Sequence, residues 1–407
     1  MNREIHITDL IPFLKNSHVK LELTFLKCLL IDASKTELPH YNLDFCNYLG
    51  CKINKNNKKS SNIYQWLKGE RTIPFKKLIK IVSLAKNYKW DDVEKNLISI
   101  KSGIKKGEIY PKFPFYLDEK FGCIIGHILG DGSISRTYEI SFNNTNSDLL
   151  KEFINNMYLI FGIYPRIWIK RCSINFTEKH KWEKRIYDLD NIPKHYMASL
   201  FYPAICGKFL LGIYGNFAYS KYKKITKRIF NSNSEFKRSL IRSFYDDESS
   251  VNEKQKFIRI FQDNKKLLSD IKKILTDLNI CSNEVRYYIK QNKKRYYFNI
   301  SGYFILLDYF NKIGFTSKSK SINLIRLLNK ISSKQHFRLR VGEMKNVIMQ
   351  FLNTGPKDTM FLILQLRKKY TFMRLNEETV RKHLHNLQDK GKIVSQMQGH
   401  IYIWKIR

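Results

Sequence analysis

The chain has 407 residues, 43% of them hydrophobic, which provides apolar material for roughly two to four domains with their own cores. Lys and Arg number 73 against 36 Asp and Glu, and the resulting net charge of +37 indicates a polyanionic partner. No segment approaches the roughly 18–20 apolar residues of a membrane-spanning helix, and no signal peptide is evident, so we expect an intracellular, cytoplasmic protein.

The seven cysteines are scattered and never spaced as CxxC, which predicts neither a disulfide framework nor a zinc site. We interpret them as small buried hydrophobic residues. Basic, turn-rich connectors near Lys101–Lys112 and Ser332–Arg340 divide the chain into three regions, at 1–112, 113–331 and 341–407.

The first region is predicted to be helical. Short helices are expected at Leu43–Leu49 and Ser60–Gly69, the second with a serine at its start and a glycine at its end. A third helix follows Ile73, with Pro74 in its first turn. Its predicted apolar face consists of Leu78, Ile81, Val82 and Ala85.

The string Trp66–Pro74 resembles the end of a phage-repressor recognition helix and the turn that follows it. The resemblance implies a helix-turn-helix module that binds DNA, with side chains facing base edges. The side chains so placed are Ser60, Ser61, Asn62 and Gln65. The alternative is an ordinary helical bundle with Trp66 in its core.

Region 113–331 contains one order of elements twice: helix, two strands, helix, two strands, helix. The copies span about 117–215 and 232–330. In the first copy the predicted elements are Phe121–Leu129, Ser133–Ser135, Tyr138–Phe142, Asp148–Phe161, Arg166–Ile169 and Ser173–Phe176. In the second they are Phe236–Tyr245, Ser250–Asn252, Phe257–Phe261, Leu267–Leu278, Glu284–Ile289, Tyr296–Ile300 and Tyr303–Asn311.

The first helix of each copy ends in a related string, IIGHILGDGS at residues 124–133 and IRSFYDDESS at residues 241–250. Both strings resemble the LAGLIDADG motif of homing endonucleases. Gly126 and Gly130 lie four residues apart on one helix face, which permits two helices to cross closely, with Ser243 at the corresponding position of the second copy. Gly132 is expected to end its helix in a left-handed conformation.

The resemblance implies an α+β fold, a duplicated αββαββα core in which the two motif helices pack together beneath saddle-shaped antiparallel sheets. Asp131 and Glu248 then meet, one from each copy, in the catalytic and metal-ligand position. Two neighbouring carboxylates repel each other, and a divalent cation such as Mg²⁺ relieves the repulsion. The implied chemistry is metal-dependent hydrolysis of DNA phosphodiesters.

Basic residues interleaved with aromatic ones on the strands predict a nucleic-acid surface, although a solvated basic face is the alternative. The basic and polar candidates are Arg166, Lys170, Arg171, Arg259, Gln262, Arg286, Lys290, Lys294 and Arg295. The interleaved aromatic residues are Trp168, Tyr287, Tyr288, Tyr296 and Tyr297.

The last region resembles a winged helix. Apolar stripes at residues 347–352 and at Met360–Tyr370 predict two helices, and a third is expected to begin near Asn376. The third helix is predicted to direct Val380, Leu384 and Leu387 inward and Arg381, Lys382 and His385 outward into a DNA major groove. Strands at Ile393–Met397 and Ile401–Trp404 form a hairpin. A protein-docking role is the alternative.

Departures from the motif bear on activity. Ser249 replaces the terminal glycine of the second motif, where it is expected to strain the helix end, and Asp247 replaces a small residue. Active family members often carry a lysine near the end of the strand after each motif helix. The matching stretches here, Asn143–Asn146 and Phe261–Asn264, contain none.

Three functions follow from these features. The first is a monomeric, site-specific, Mg²⁺-dependent endonuclease for double-stranded DNA. The second is a DNA-binding transcriptional regulator that keeps the scaffold without catalysis, and the third is an RNA-binding intron splicing helper. The chain begins with Met1 and ends without His-Asn, so we expect a free-standing protein rather than an intein.

Overall fold

The computed structural model describes residues 4–54, 59–103, 107–171, 183–184, 189, 196–218, 222–291, 293–332, 343–369, 377–399 and 401–407. Helices and antiparallel sheets are mixed along this part of the chain, which confirms the predicted α+β class. None of the helices in these ranges has the length and apolar character needed to cross a membrane.

The first region is not all-helical, contrary to the prediction. A four-stranded antiparallel sheet has the order Ile73–Pro74, His18–Leu21, Leu97–Lys101, Glu108–Ile109. Two of its strands have only two residues, too short for a period-two pattern to be recognised. The helices are Ile11–Leu14, Leu23–Ser34, Leu43–Tyr48, Ser61–Leu67, Phe75–Leu84 and Trp90–Lys95, with a 3₁₀ turn at Ile7–Leu10.

Pro74 precedes its helix as the N-cap residue instead of lying in the first turn. It already belongs to a strand that pairs with His18, so the helix begins at Phe75. Leu78, Ile81 and Val82 are buried as predicted. Short paired strands complete the region at Ile53–Asn54 with Lys59–Ser60 and at Glu4–Ile5 with Phe115–Tyr116.

The duplication predicted for the second region is present. The first copy consists of Glu119–Leu129, Gly132–Ile134, Ile140–Asn144, Ser147–Phe161, Arg166–Arg171, Tyr196–Tyr202 and Ala204–Tyr214, with a short strand at Glu183–Lys184. The second consists of Ser234–Glu248, Ser249–Asn252, Phe257–Gln262, Lys265–Asp277, Arg286–Lys290, Lys293–Ser301 and Tyr303–Lys312. Helix Lys227–Phe230 precedes the second copy, and helix Lys318–Ser332 follows it.

Each copy forms an antiparallel sheet in which the first strand is paired with the second, the second with the fourth and the fourth with the third. In the first copy Arg166–Arg171 pairs with Tyr196–Tyr202 over six residue pairs. The sequence predicted Ser173–Phe176 as that partner, and this segment lies outside the described residues. The true partner is more than twenty positions further along, beyond the reach of a short-hairpin pattern.

The copies also agree in local detail. Asn146 accepts a hydrogen bond from the amide of Asp148 at 2.9 Å and caps the second helix of the first copy. Asn264 accepts one from the amide of Leu267 at 3.1 Å and caps the equivalent helix. Each asparagine follows its strand by two residues, so the strand and the helix start are joined identically in both copies.

Two hydrophobic cores organise the described residues. One is a single cluster that contains buried residues between Ile5 and Ile331 and unites the first region with the duplicated region. The other contains buried residues between Met344 and Trp404. The proposed boundary near residue 112 therefore crosses a shared core, whereas the third region has a core of its own.

The third region has helices Glu343–Leu352, Thr359–Lys369 and Glu377–Asp389 and a sheet of Lys357–Asp358, Ile401–Ile406 and Ile393–Gln398. Val380, Leu384 and Leu387 are buried, as predicted. Trp404 is buried and donates its Nε1–H to Thr359 Oγ1 at 2.9 Å, which ties the hairpin to the second helix.

Candidate functional site

The site is built on the crossing of two helices, called here the first motif helix, Glu119–Leu129, and the second motif helix, Ser234–Glu248. A Cβ added at Gly122 would lie 2.3 Å from Phe236 O, and one at Gly126 would lie 2.4 Å from Leu240 O. A Cβ at Gly130 would meet Asp247 Oδ2 at 2.5 Å. Glycine every four residues therefore lets the two backbones touch, and the sequence had identified all of this stripe except Gly122.

Gly132 does not end the first motif helix in the left-handed region, contrary to the prediction. It opens strand Gly132–Ile134, where an added Cβ would lie 2.8 Å from the Cα of Ile128 and 3.1 Å from Ser141 O. The glycine is thus required for space rather than for a positive φ. The matching Ser249 has φ −112°, so its replacement of glycine strains nothing, and its hydroxyl donates to Tyr245 O at 2.6 Å.

Three carboxylates gather at the C-terminal ends of the motif helices. Asp131 keeps contact with solvent, but loss of water around its carboxylate, together with the charges of Asp247 and Glu248, raises its pKa to about 7. Burial likewise raises the pKa of Glu248, and Asp247 adds to the effect. Repulsion among the three carboxylates adds to the effect of burial, and a bound cation would relieve that repulsion.

In each copy, a side-chain amide donates a hydrogen bond to the motif acid of that copy. Asn144 Nδ2 donates to Asp131 Oδ2 at 3.2 Å and to Asp247 Oδ1 at the same distance. Gln262 Nε2 donates to Glu248 Oε1 at 3.1 Å. Asn144 and Gln262 end equivalent strands, where family members often carry lysine. The sequence aligned these two stretches, but it identified Gln262 alone as a site residue.

Two lysines that the sequence did not indicate reach the same region. Lys223 lies between the copies, and its Nζ donates to the carbonyl of Gly130. Lys320, on the helix that follows the second copy, donates to the carbonyls of Tyr245 at 3.0 Å and Ser249 at 2.6 Å. Both approach the acids from distant parts of the chain, so no local pattern could have found them.

A buried histidine joins the two motif helices beneath the acids. His127 is fully buried, with Nδ1 3.0 Å from Asp247 Oδ2 and Nε2 3.4 Å from Glu152 Oε2. Burial is the largest single influence and lowers its pKa, but the charges and hydrogen bonds of Asp247 and Cys123 together outweigh burial and raise the pKa well above 6.5. The ring therefore fixes Asp247 in place. Thr316 Oγ1 in turn donates to Glu152 Oε1 at 3.0 Å.

Cys123, His127 and Glu152 are also the group of potential metal-binding residues found among the described residues, with ligand atoms within 4.8 Å of one another. Both ring nitrogens of His127 already face carboxylates, as described above. Hydrogen bonding and ion pairing account for the arrangement without a metal ion.

Strand alternation divides the sheet residues of the second copy between two faces. Along strand Lys293–Ser301, every second residue faces the same side as Arg295. The residues that pair with these positions face that side too, and the basic ones are Arg259, Arg286 and Lys290. The guanidinium of Arg259 lies 4.6 Å from the centre of the Tyr297 ring. This basic and aromatic surface has the composition of a nucleic-acid surface.

Gln262 and Lys294 do not lie on that face. Alternation places both on the opposite face with Ile260, and the Lys294 ammonium lies 5.1 Å from the centre of the Tyr287 ring. A one-residue step along a strand reverses the direction of the side chain, so a cluster of basic residues in the sequence cannot all face one way.

In the first copy, Arg166, Trp168 and Lys170 share the corresponding face. Arg166 donates to Glu139 at 3.3 Å, and the ring of Trp168 contacts that of Phe201. The side chain of Arg171 lies outside the described residues.

Some of the residues proposed to contact DNA from the flanking regions are exposed, and others are buried. Ser60 is fully buried and pairs in a short strand, and Gln65 Oε1 is buried, which is contrary to the expectation that both face DNA. Arg381 and Lys382 are exposed opposite the buried face of their helix, as expected. Trp66 is buried, as the alternative bundle interpretation requires.

Comparison with known families bears on the motif helices directly. Residues 235–321 match the family model of the LAGLIDADG-like domain. The chain contains a LAGLIDADG-like domain. The matched LAGLIDADG segment begins one residue into the second motif helix and includes Glu248, the whole second sheet and the first turn of the helix that carries Lys320.

Similarity to individual proteins is more distant. DNA-directed RNA polymerase subunit Rpo1C of Methanocaldococcus jannaschii is 25% identical over 277 residues, which are 67% of this chain and 28% of that protein. The structure of I-DmoI in complex with DNA and Mn is 14% identical, with a TM-score of 0.31 over 48% of this chain and 97% of that one. Full-length DUF199/WhiA from Thermatoga maritima is 17% identical, with a TM-score of 0.31 over 68% of this chain and 83% of that one.

Proposed function

We propose that the protein is a monomeric, site-specific, divalent-metal-dependent endonuclease that cleaves double-stranded DNA. The observation that carries the proposal is the meeting of Asp131 and Glu248, one from each LAGLIDADG copy, at the ends of two helices in backbone contact. Burial, together with the neighbouring charges of Asp247 and Glu248, raises the pKa of Asp131, and a bound cation would offset these charges.

Carboxylate oxygens are hard ligands, and a pair of them suits Mg²⁺. Asp131 and Glu248 are the residues that would hold the metal, and the bound metal would supply a nucleophilic water and stabilisation of the leaving oxygen. Asn144 and Gln262 orient the two carboxylates by hydrogen bonds. His127 fixes the neighbouring Asp247.

The basic sheet faces are proposed to hold the DNA. Phosphate contacts from Arg and Lys set the position of a duplex and make binding strongly salt-dependent. The faces with Arg166 and Lys170 in one copy and Arg259, Arg286 and Arg295 in the other would supply these contacts. RNA synthesis is not part of the proposal, because the polymerase subunit is matched over only 28% of its length.

A cleavage assay on a library of long DNA targets with Mg²⁺ or Mn²⁺ tests the proposal. The parent should produce discrete double-strand cuts, and Asp131→Asn and Glu248→Gln should each abolish them. Glu253→Gln removes the charge of an acidic residue in the turn between strands Ser249–Asn252 and Phe257–Gln262, so it serves as the control and should cut normally. Absence of cutting by the parent with every divalent metal would refute the nuclease.

The second candidate is a DNA-binding regulator without catalysis. It is favoured by the amides Asn144 and Gln262, which stand where active relatives carry lysine. Selection from random duplexes followed by footprinting distinguishes it, since a discrete protected sequence without cleavage supports the regulator. Structured RNA competing against duplex DNA at matched salt tests the splicing-helper alternative.

A further inference from the structure

Lys223 links the two copies at the carboxylate cluster. Its Nζ donates to the carbonyl of Gly130, the residue before Asp131 in the first copy. Its own carbonyl accepts a hydrogen bond at 2.8 Å from Asn264 Nδ2, and Asn264 caps a helix of the second copy. The position of this lysine is therefore fixed from both copies.

The charge of Lys223 acts on all three acids. The ammonium is close enough to lower the pKa of both Asp131 and Glu248, and it also interacts with Asp247. Lys320 also interacts with these acids, but three carbonyl oxygens at the end of the second motif helix surround its Nζ and hold it as a helix cap. Lys223 holds a single carbonyl, that of Gly130, and is therefore the less firmly bound of the two ammonium groups beside the acids.

A lysine ammonium and a divalent cation can both reduce the repulsion among neighbouring carboxylates. Each neutralises crowded carboxylates, and each does so through electrostatic attraction that is strong at short range in a partly buried site. Lys223 is half-buried, and its Nζ donates to the carbonyl oxygen of the residue directly before Asp131. The two cations cannot both bind the acids at full strength.

We propose that Lys223 is a tethered cation that stabilises the Asp131–Asp247–Glu248 cluster in the metal-free protein and competes with the divalent metal for it. The proposal rests on the proposed function in so far as this cluster is the metal site. It makes Lys223 a positioning residue that sets how tightly the metal binds. Its role is opposite to that of a ligand, whose removal weakens binding.

Calorimetric titration of the DNA-free protein with Mn²⁺ tests the proposal. Lys223→Met keeps the length of the side chain and removes its charge, so Mn²⁺ affinity should rise by roughly tenfold or more. Lys223→Arg retains the charge and should stay near the parent. Lys224→Met removes a neighbouring exposed lysine and should also match the parent. Equal or weaker binding by Lys223→Met, or no binding by any of the four proteins, would overturn the proposal.

Thermal unfolding in EDTA gives a second readout. Lys223→Met should unfold at a lower temperature than the parent, and added Mn²⁺ should raise its midpoint by more than it raises that of the parent. Lys223→Gln replaces Lys223→Met if the latter does not fold, with the same expectations. A midpoint in EDTA equal to that of the parent would contradict the stabilising role.

The outcomes separate this inference from the nuclease. If Lys223→Met binds Mn²⁺ more tightly but no DNA is cut by the parent, the inference stands and the nuclease fails. If the parent cuts DNA but Lys223→Met binds Mn²⁺ like the parent, the nuclease stands and the inference fails.

Discussion

Substitution of Gly126 by alanine measures how much the fold depends on contact between the motif helices. In an ordinary helix interior this change stabilises a protein by about 1 kcal/mol, because alanine loses less conformational freedom on folding. At Gly126 the new Cβ would lie 2.4 Å from Leu240 O and 2.9 Å from the Cβ of Ser243. Carbon atoms in favourable contact lie about 3.5–4.0 Å apart, so the helices must separate.

The size of the effect follows from these two opposing contributions. Adding a methyl group to a well-packed interior costs about 1–3 kcal/mol. The obstacle at Gly126 is a backbone carbonyl, which cannot rotate away as a side chain can, so the upper part of that range applies. After subtraction of the gain of about 1 kcal/mol in helix propensity, a net loss of about 1–2 kcal/mol remains.

Calorimetric unfolding shows whether Gly126→Ala lowers or raises the stability. The transition of the shared core should move down by roughly 2–4 °C for each kcal/mol. Gly399→Ala is the control, because Gly399 has φ 62° with open space around it and lies in the hairpin of the separate third region. Its substitution should leave the main transition in place. A higher midpoint for Gly126→Ala would refute the tight helix crossing.

Further expectations concern the charges below and beside this crossing. Folded Asp131 has a pKa of about 7 against 3.8 in the unfolded chain, so metal-free stability should fall as pH rises from about 4 to 7. Asp131→Asn should flatten this fall in urea midpoints taken at constant ionic strength, and an unchanged slope would contradict the raised pKa. His127→Leu leaves Asp247 and Glu152 without their shared ring and should cost about 3–5 kcal/mol in urea unfolding at pH 6. The pKa of His127 in the folded protein lies well above 6.5, so its contribution to stability is complete below pH 6.5 and is lost as the pH rises through the folded pKa. If the destabilisation caused by His127→Leu increased with pH, this explanation would be wrong. Asn144→Ala removes a donor to two carboxylates and should lower the cleavage rate by about tenfold or more with DNA affinity unchanged, as rate and binding measurements on one target would reveal.

The sequence predicted the duplicated region well because its signals are local. Gly126 and Gly130 recur at helical spacing, and each motif string sits at the start of the same order of amphipathic segments. Period-two alternation located the long strand pair of the second copy within a few residues. These patterns depend only on residues close together in the sequence, so they can be recognised without knowledge of the fold.

Other features depend on residues far apart in the chain. The sheet of the first region joins His18–Leu21 to Leu97–Lys101, and no pattern within either segment names its partner. The lysines beside the acids come from position 223, in the connection between copies, and from position 320, near the end of the core. A sequence search for lysines at strand ends therefore found none, although two ammonium groups are present in the folded site.

His127 shows a third kind of difficulty. A histidine inside an apolar helix stripe is usually a satisfied core residue, and its two carboxylate neighbours come from the other motif helix and from the following helix. Only the crossing of the helices brings Asp247 to it. Asp247 of the second motif and His127 of the first are both unusual for their positions, and each is the ion-pair partner of the other.

The two sheets of the duplicated region are alike in topology and unlike in side chains. One presents Arg166, Trp168 and Lys170, and the other presents Arg259, Arg286 and Arg295, at positions that do not correspond. A symmetric dimer presents one surface twice and selects palindromes, because its operator mirrors its two-fold axis. Under the proposed function, a single chain with two different half-surfaces is free of that constraint, and the left and right halves of its DNA site could change independently as either copy mutates.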